Sequence, residues 1–289
     1  MSVLVDFVGT WVFEPVPAVG VLATAGAYLW AVRKVRQAHP GRVWPRRRTA
    51  SFLTGLALIV IVILGPIGAY DDTFFWAHMT QHIATMMVIA PLLLLGSPVL
   101  LALEVSSRRT RHRWLVPVLR SRAVRVLTDP VVTWLLFAAT LLGTHFTPFY
   151  NYAVTHQAVH DYVEHPLYLT VALLYFYPLV GANPVPHGPR PLVKVVSLVL
   201  AMAPESMTGF FIYTAGSVLY PAYLTADRPY GPDPLADQQL GGALMWCSGM
   251  LIGAIWIALA VKAWLRAEAR AGVRIDRQLA AERAGAITG

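Results

Sequence analysis

Seven stretches of about 20 residues, nearly free of Asp, Glu, Lys and Arg, limit what this chain can fold into, because each is long enough to cross about 30 Å of hydrocarbon as a helix. They run over 16–35, 51–70, 74–97, 130–147, 156–182, 192–215 and 237–265. A hydrophobic content of 56%, a charged content of 13% and a mean hydropathy of +0.55 exclude an ordinary soluble domain. The expected fold is an all-α integral membrane protein of seven transmembrane helices. A single domain would cover 1–270, followed by a cytoplasmic tail over 271–289. The softest boundaries are those of the fourth and fifth spans, where "THFTPFYNYAVTHQAVHDYVEHP" is aromatic and mixed.

Basic residues collect in cytoplasmic connections, and this rule tests the division independently. Arg33, Lys34, Arg36, Arg42, Arg46, Arg47 and Arg48 lie between spans one and two. Arg108, Arg109, Arg111, Arg113, Arg120, Arg122 and Arg125 lie between spans three and four. Arg190, Lys194 and the C-terminal Lys262, Arg266, Arg270, Arg274, Arg277 and Arg283 follow on the same side, so of 23 basic residues only Arg228 falls opposite. The expected topology has the N-terminus outside and the C-terminus in the cytoplasm. Asp6, Glu14, Asp71, Asp72, Asp161, Glu164, Asp227, Asp233 and Asp237 then fall on the outer face. The net charge of +8 reflects topology and attraction to anionic membrane lipid, not a nucleic-acid footprint. No basic segment precedes the first span, so no cleavable signal peptide is expected. Phosphate-binding loops, nucleophile motifs and internal repeats are absent from the sequence, and no enzymatic activity is expected.

Histidine carries the functional information. His39, His112 and His187 fall in the basic connections, whereas His78, His82, His145, His156, His160 and His165 map to the outer ends of spans three, four and five. A residue four positions on shares a helix face, so His78, His82 and Met86 form one stripe and His156 and His160 another. Ionisable groups at membrane depth are costly and generally functional. The six histidines are therefore candidate metal or haem ligands. Thioether and thiol groups favour Cu(I), and Met86, Met245 and Cys247 are the candidate soft ligands. Glu205 stands about 16 Å along its helix from Lys194, near mid-bilayer, with the helix-disturbing Pro204 beside it.

The motifs "HMTQH", "APLLLLGSPVLLAL", "VHDYVEHPLYLTVALLYFYPLVGANP", "LYPAY" and "ADQQLGGALMW", in that order, resemble the multi-span, caa-type CtaG family of cytochrome c oxidase assembly proteins. The resemblance covers residues 50 to 265. It implies a seven-helix protein of the bacterial plasma membrane that helps to build haem-copper oxidase by delivering copper to the catalytic subunit, after receiving it from a soluble or anchored donor at the outer face. By motif match, His78, His82, His160, Glu164, His165 and Asp237 are the signature polar positions. Glu164, Asp161, Glu205 and Asp237 are expected behind the ligands or in proton-linked roles, with Glu164 accepting the second ring N–H of a ligating histidine. A b-type haem electron carrier and a seven-helix transporter are the alternatives.

Overall fold

The computed structural model describes residues 9–38, 43–180, 183–185, 188–228 and 230–288, and only the backbone at Arg277 and 279–288. Asp6, His39, Arg42 and His187 lie outside the described residues, as do the side chains of Arg277 and Arg283. The described residues contain helices and no strand, as expected where no water satisfies a backbone left open in hydrocarbon. The principal helices are α1 (Pro15–Ala38), α2 (Arg46–Tyr70), α3 (Phe75–Val105), α4 (Pro130–His145), α5 (Phe149–Thr155), α6 (Gln157–Val180), α7 (Pro191–Thr214) and α8 (Pro234–Thr288), with shorter helical turns within 108–127 and at Pro221–Leu224. Six of them are long and apolar enough to cross a membrane, and the count reaches seven if α4 and α5 form one span.

The starts of these helices follow from local chemistry. Proline opens α4, α7 and α8, where its missing N–H costs nothing. Asp129 accepts from Val131 N–H and Val132 N–H at the head of α4, and Asp233 accepts from Leu235 N–H and Ala236 N–H at the head of α8. The 16 residues of α4 reach only about 24 Å. After a bend of 67°, α5 extends the path to Thr155. The expected fourth span thus runs on through a kink, and a non-helical His156 (φ −130°, ψ 86°) separates it from α6.

α3 is interrupted inside the expected third span and runs past it. Ser97 adopts a left-handed conformation (φ 54°), and Asn183 bridges the break by donating to Leu94 O and accepting from Val99 N–H and Leu100 N–H. Gly96 is required here, because a Cβ would lie 2.6 Å from the Cβ of Phe52. The Tyr28 hydroxyl donates to the Gly96 carbonyl at 2.7 Å and stacks its ring on Phe52, tying α1 and α2 to the break. Farther up α3, Pro91 provides no N–H for the Met87 carbonyl, and the Trp256 indole of α8 donates to it instead at 2.8 Å. α7 and α8 cross at Gly209 and Gly242, where a Cβ would come within 2.5 Å of Trp246 N and 2.6 Å of Tyr213 N. Small residues permit such an approach between membrane helices. α8 continues as one helix well beyond its apolar part, to Thr288.

Candidate metal centre

The end of the bundle opposite the arginine-rich connections buries a group of imidazoles. Their placement begins with Asp237 on α8, whose two carboxylate oxygens accept from Phe75 N–H at 2.9 Å and Trp76 N–H at 3.0 Å. A carboxylate at a helix N-terminus satisfies open donors and complements the helix dipole. Arg228 donates to the same carboxylate at 2.9 Å and to the carbonyls of Pro232 and Tyr223. The start of α3 is thereby fixed, and His78 and His82 follow in its first two turns, both buried. Gln81 donates to Val62 O of α2 at 3.1 Å, which sets the rotation of α3.

α6 delivers the second set through a widened turn. His165 N–H bonds to the carbonyl of His160, five residues back instead of four. Such π-helical turns recur at functional sites. A second one over Ala84–Ile89 begins directly after the His82 turn of α3. His160 and Glu164 face inward from the widened turn of α6, and Glu164 is completely closed to solvent.

Glu164 lies at the middle of the group. Its Oε2 is 3.6 Å from His78 Nε2 and 3.8 Å from His160 Nε2, and its Oε1 is 3.7 Å from His82 Nε2. The rings of His78 and His82 stack at 4.4 Å, and His160 is 4.7 Å from His78. Both nitrogens of His78 and of His82, Nε2 of His145 and of His160, and both oxygens of Glu164 are buried without a hydrogen-bond partner. Buried polar groups are ordinarily satisfied, and leaving one open costs about 1–3 kcal/mol. Two sets of three donors, His78/His160/Glu164 and Asp71/His160/His165, each place their ligating atoms within 4.8 Å of one another. With metal bonds of about 2.0–2.2 Å, ligating atoms about 3.3 Å apart fit a tetrahedral ion, and the carboxylate–imidazole pairs at 3.6–3.9 Å are a few tenths of an ångström wider than that.

The expected site residues fall into distinct places. His145 is buried beside His82, with ring centroids 6.1 Å apart, and its Nδ1 faces Leu141 O at 2.9 Å, which leaves Nε2 toward the group. His165 is half-buried, with Nε2 3.4 Å from Gln81 Oε1 and its ring 4.3 Å from His160. His156 lies elsewhere: it is exposed, stacks on Tyr152 and turns Nδ1 to the Tyr152 carbonyl. The break between α5 and α6 removes the helical register that would have joined it to His160. Met86 and Met245 line a cavity of about 10 Å³ beneath His82, together with Met79 and Glu205. Cys247 is exposed; two residues beyond Met245 on a helix, it points about 200° away.

Glu164 and Asp237 differ from expectation. Glu164 confronts the Nε2 atoms of three histidines rather than standing behind one. Asp161 stands beside His160, with Oδ1 3.3 Å from His160 Nδ1. Asp237 holds a helix end through Arg228 and two backbone donors and does not reach the imidazoles. Glu205 is buried with Oε2 unpartnered, below the group.

Asp71 and a wall of tyrosines join the group although the sequence pattern alone does not mark them as site residues. Asp71 Oδ2 lies 3.9 Å from His160 Nε2. Burial pushes its carboxyl up to about 7, against the opposing pull of His160. Tyr150 and Tyr168 pack their rings 4.8 Å from His78 and 4.0 Å from His82. The Tyr150 and Tyr223 hydroxyls are paired at 3.1 Å, and Tyr223 donates to the Asp71 carbonyl. The one available signal was the position of the "DD" pair at the turn before "HMTQH".

A family model described as cytochrome c oxidase caa3 assembly factor matches residues 26–267. The chain belongs to this family. An uncharacterized protein of Mycobacterium leprae (strain TN) is 28% identical over 284 residues, which are 95% of this chain and 42% of the relative. Uncharacterized proteins of Mycobacterium bovis and Mycobacterium tuberculosis are each 30% identical over 278 residues, which are 92% of this chain and 41% of theirs. The chain of this caa3 assembly factor family member therefore spans about two fifths of the length of these curated relatives. No solved structure matches it.

Proposed function

We propose that this member of the caa3 assembly factor family binds copper at the His78/His82/His160/Glu164 group and passes it to the catalytic subunit of cytochrome c oxidase, having received it from an outer-face donor. The observation that carries this reading is the set of buried imidazole and carboxylate atoms without hydrogen-bond partners, converging from α3, α4 and α6. Imidazoles with a carboxylate suit a borderline ion, and the thioethers of Met79, Met86 and Met245 just beneath favour its reduced state. The closeness of the rings leaves little room for a porphyrin between His78, His82 and His160, which favours an ion over the haem alternative.

In this reading the kinked α4–α5 pair is one span of seven. The N-terminus and the histidine end face outward from the bacterial plasma membrane, and the arginine-rich end faces the cytoplasm. Reporter tags in the 217–235 loop should be accessible from outside and tags at the C-terminus from the cytoplasm; a cytoplasmic 217–235 loop would reverse the site's side. Purified protein should retain copper without showing a Soret band, and His78→Ala should remove most of that copper at normal membrane abundance. Wild type without copper, or with a Soret band, overturns the reading.

A further inference from the structure

The two sets of three donors share one residue, and they share it through one atom. His160 Nε2 is 3.8 Å from Glu164 Oε2 on one side and 3.9 Å from Asp71 Oδ2 on the other. The opposite ring nitrogen faces Asp161 Oδ1 at 3.3 Å, an arrangement that keeps the proton on Nδ1 and leaves a single lone pair on Nε2. One lone pair holds one ion.

The surroundings of the two sets differ. His78 and Glu164 are sealed, at 1% and 0% exposure. Asp71 and His160 instead line a cavity of about 140 Å³, whose wall also holds Glu14, Asp72, Asp161 and Gln157. The Nε2 atom of His160, a side chain 93% buried, is unpartnered at the floor of this acidic mouth. Carboxylates lining a cleft raise the local concentration of cations and their rate of arrival.

We infer that Asp71, His160 and His165 form an outer station for a copper ion and His78, His160 and Glu164 an inner one, with His160 retained while the other ligands are exchanged. This inference rests on the copper reading above. The ion would arrive through the acidic mouth onto Asp71 and His160, with His165 joining from outside the lining of that cavity, then shift onto His78 and Glu164 without leaving Nε2 of His160. No electron moves, since only coordination bonds are exchanged; a carboxyl that holds a proton gives it up to the water of the mouth as it takes the ion, and the carboxylate left behind can take one back. The outer station then controls the rate of loading and release, and the inner station controls resting affinity. Because Nε2 is shared, the two stations are never filled together.

The test uses the full chain in detergent, loaded with Cu(I) alone, with affinity from chelator competition and rates from stopped-flow transfer to a chelator. Asp71→Asn should slow loading and release by about tenfold while changing affinity less than twofold. His78→Ala should lower affinity at least about tenfold without slowing exchange. His165→Gln is the second outer-station variant and decides the matter if Asp71→Asn does not accumulate. Two ions bound across the shared histidine, or an outer-station variant that loses affinity as His78→Ala does with unchanged rates, overturns the relay and leaves copper binding standing. A wild-type chain that takes no Cu(I) overturns both.

Discussion

Asp237 accepts hydrogen bonds from two backbone N–H groups and the Arg228 guanidinium, whereas Glu164, equally closed to solvent, accepts none and instead faces three imidazole nitrogens at 3.6–3.8 Å. Both carboxylates sit at the same end of the bundle. One is paired in full and holds the start of α3. The other is left open among groups that are equally open. A pairing that is complete serves architecture, since breaking it strands a charge. An arrangement whose polar atoms stay unsatisfied destabilises the fold unless something binds there, and such sites are the usual carriers of function.

The largest effect that would break this comparison is at the paired carboxylate. Asp237→Ala should cost about 3–5 kcal/mol, the range for removing one partner of a buried ion pair, and the protein should fail to accumulate in the membrane. Normal abundance and thermal stability of that variant would refute its architectural role. Glu164→Gln should do the reverse: abundance stays near wild type, while copper affinity measured by chelator competition falls at least about tenfold. If the Gln variant keeps full affinity, Glu164 is not a ligand.

Smaller effects sharpen the contrast. Asp161→Asn removes the support behind His160 Nδ1 and one carboxylate of the acidic mouth, so its loss of copper affinity should be less than about tenfold and should remain below that of Glu164→Gln. An equal or larger loss would place Asp161 among the ligands. The smallest effect belongs to His156→Ala, which should leave copper retention unchanged and stability within about 0.5 kcal/mol. A measurable loss of copper there would mean that the exposed ring reaches the centre.

How much was legible depended on whether a residue acts through its own helix. The apolar runs, the His78/His82 stripe and the neighbourhood of His160, Glu164 and His165 are local features, and periodicity finds them. His156 deceived the same reasoning, because spacing of four implies a shared face only where the helix is unbroken, and the backbone leaves helical geometry at that residue. Glu164 departs from its expected place behind one imidazole because the facing partners come from α3, which α6's own sequence does not encode. Asp71 lies in a turn and meets His160 only in three dimensions. The Cys247 orientation was in principle readable, being fixed by its spacing from Met245.

The widened turn at His160–Glu164 also bears on how this region tolerates change in length. A turn closed by a bond to the fifth residue back holds one residue more than an α-turn needs. Removing one residue there lets the helix close as an ordinary α-turn, and because the surplus residue is taken up inside the widened turn the flanking segments keep nearly the same phase. A single-codon deletion within 160–164 would thus yield a continuous helix of nearly the same length in which only the placement of the residues inside the turn has changed. For this stretch a one-residue change of length is absorbed locally, and relatives should be aligned through it by the phase of their side chains before the count of their residues.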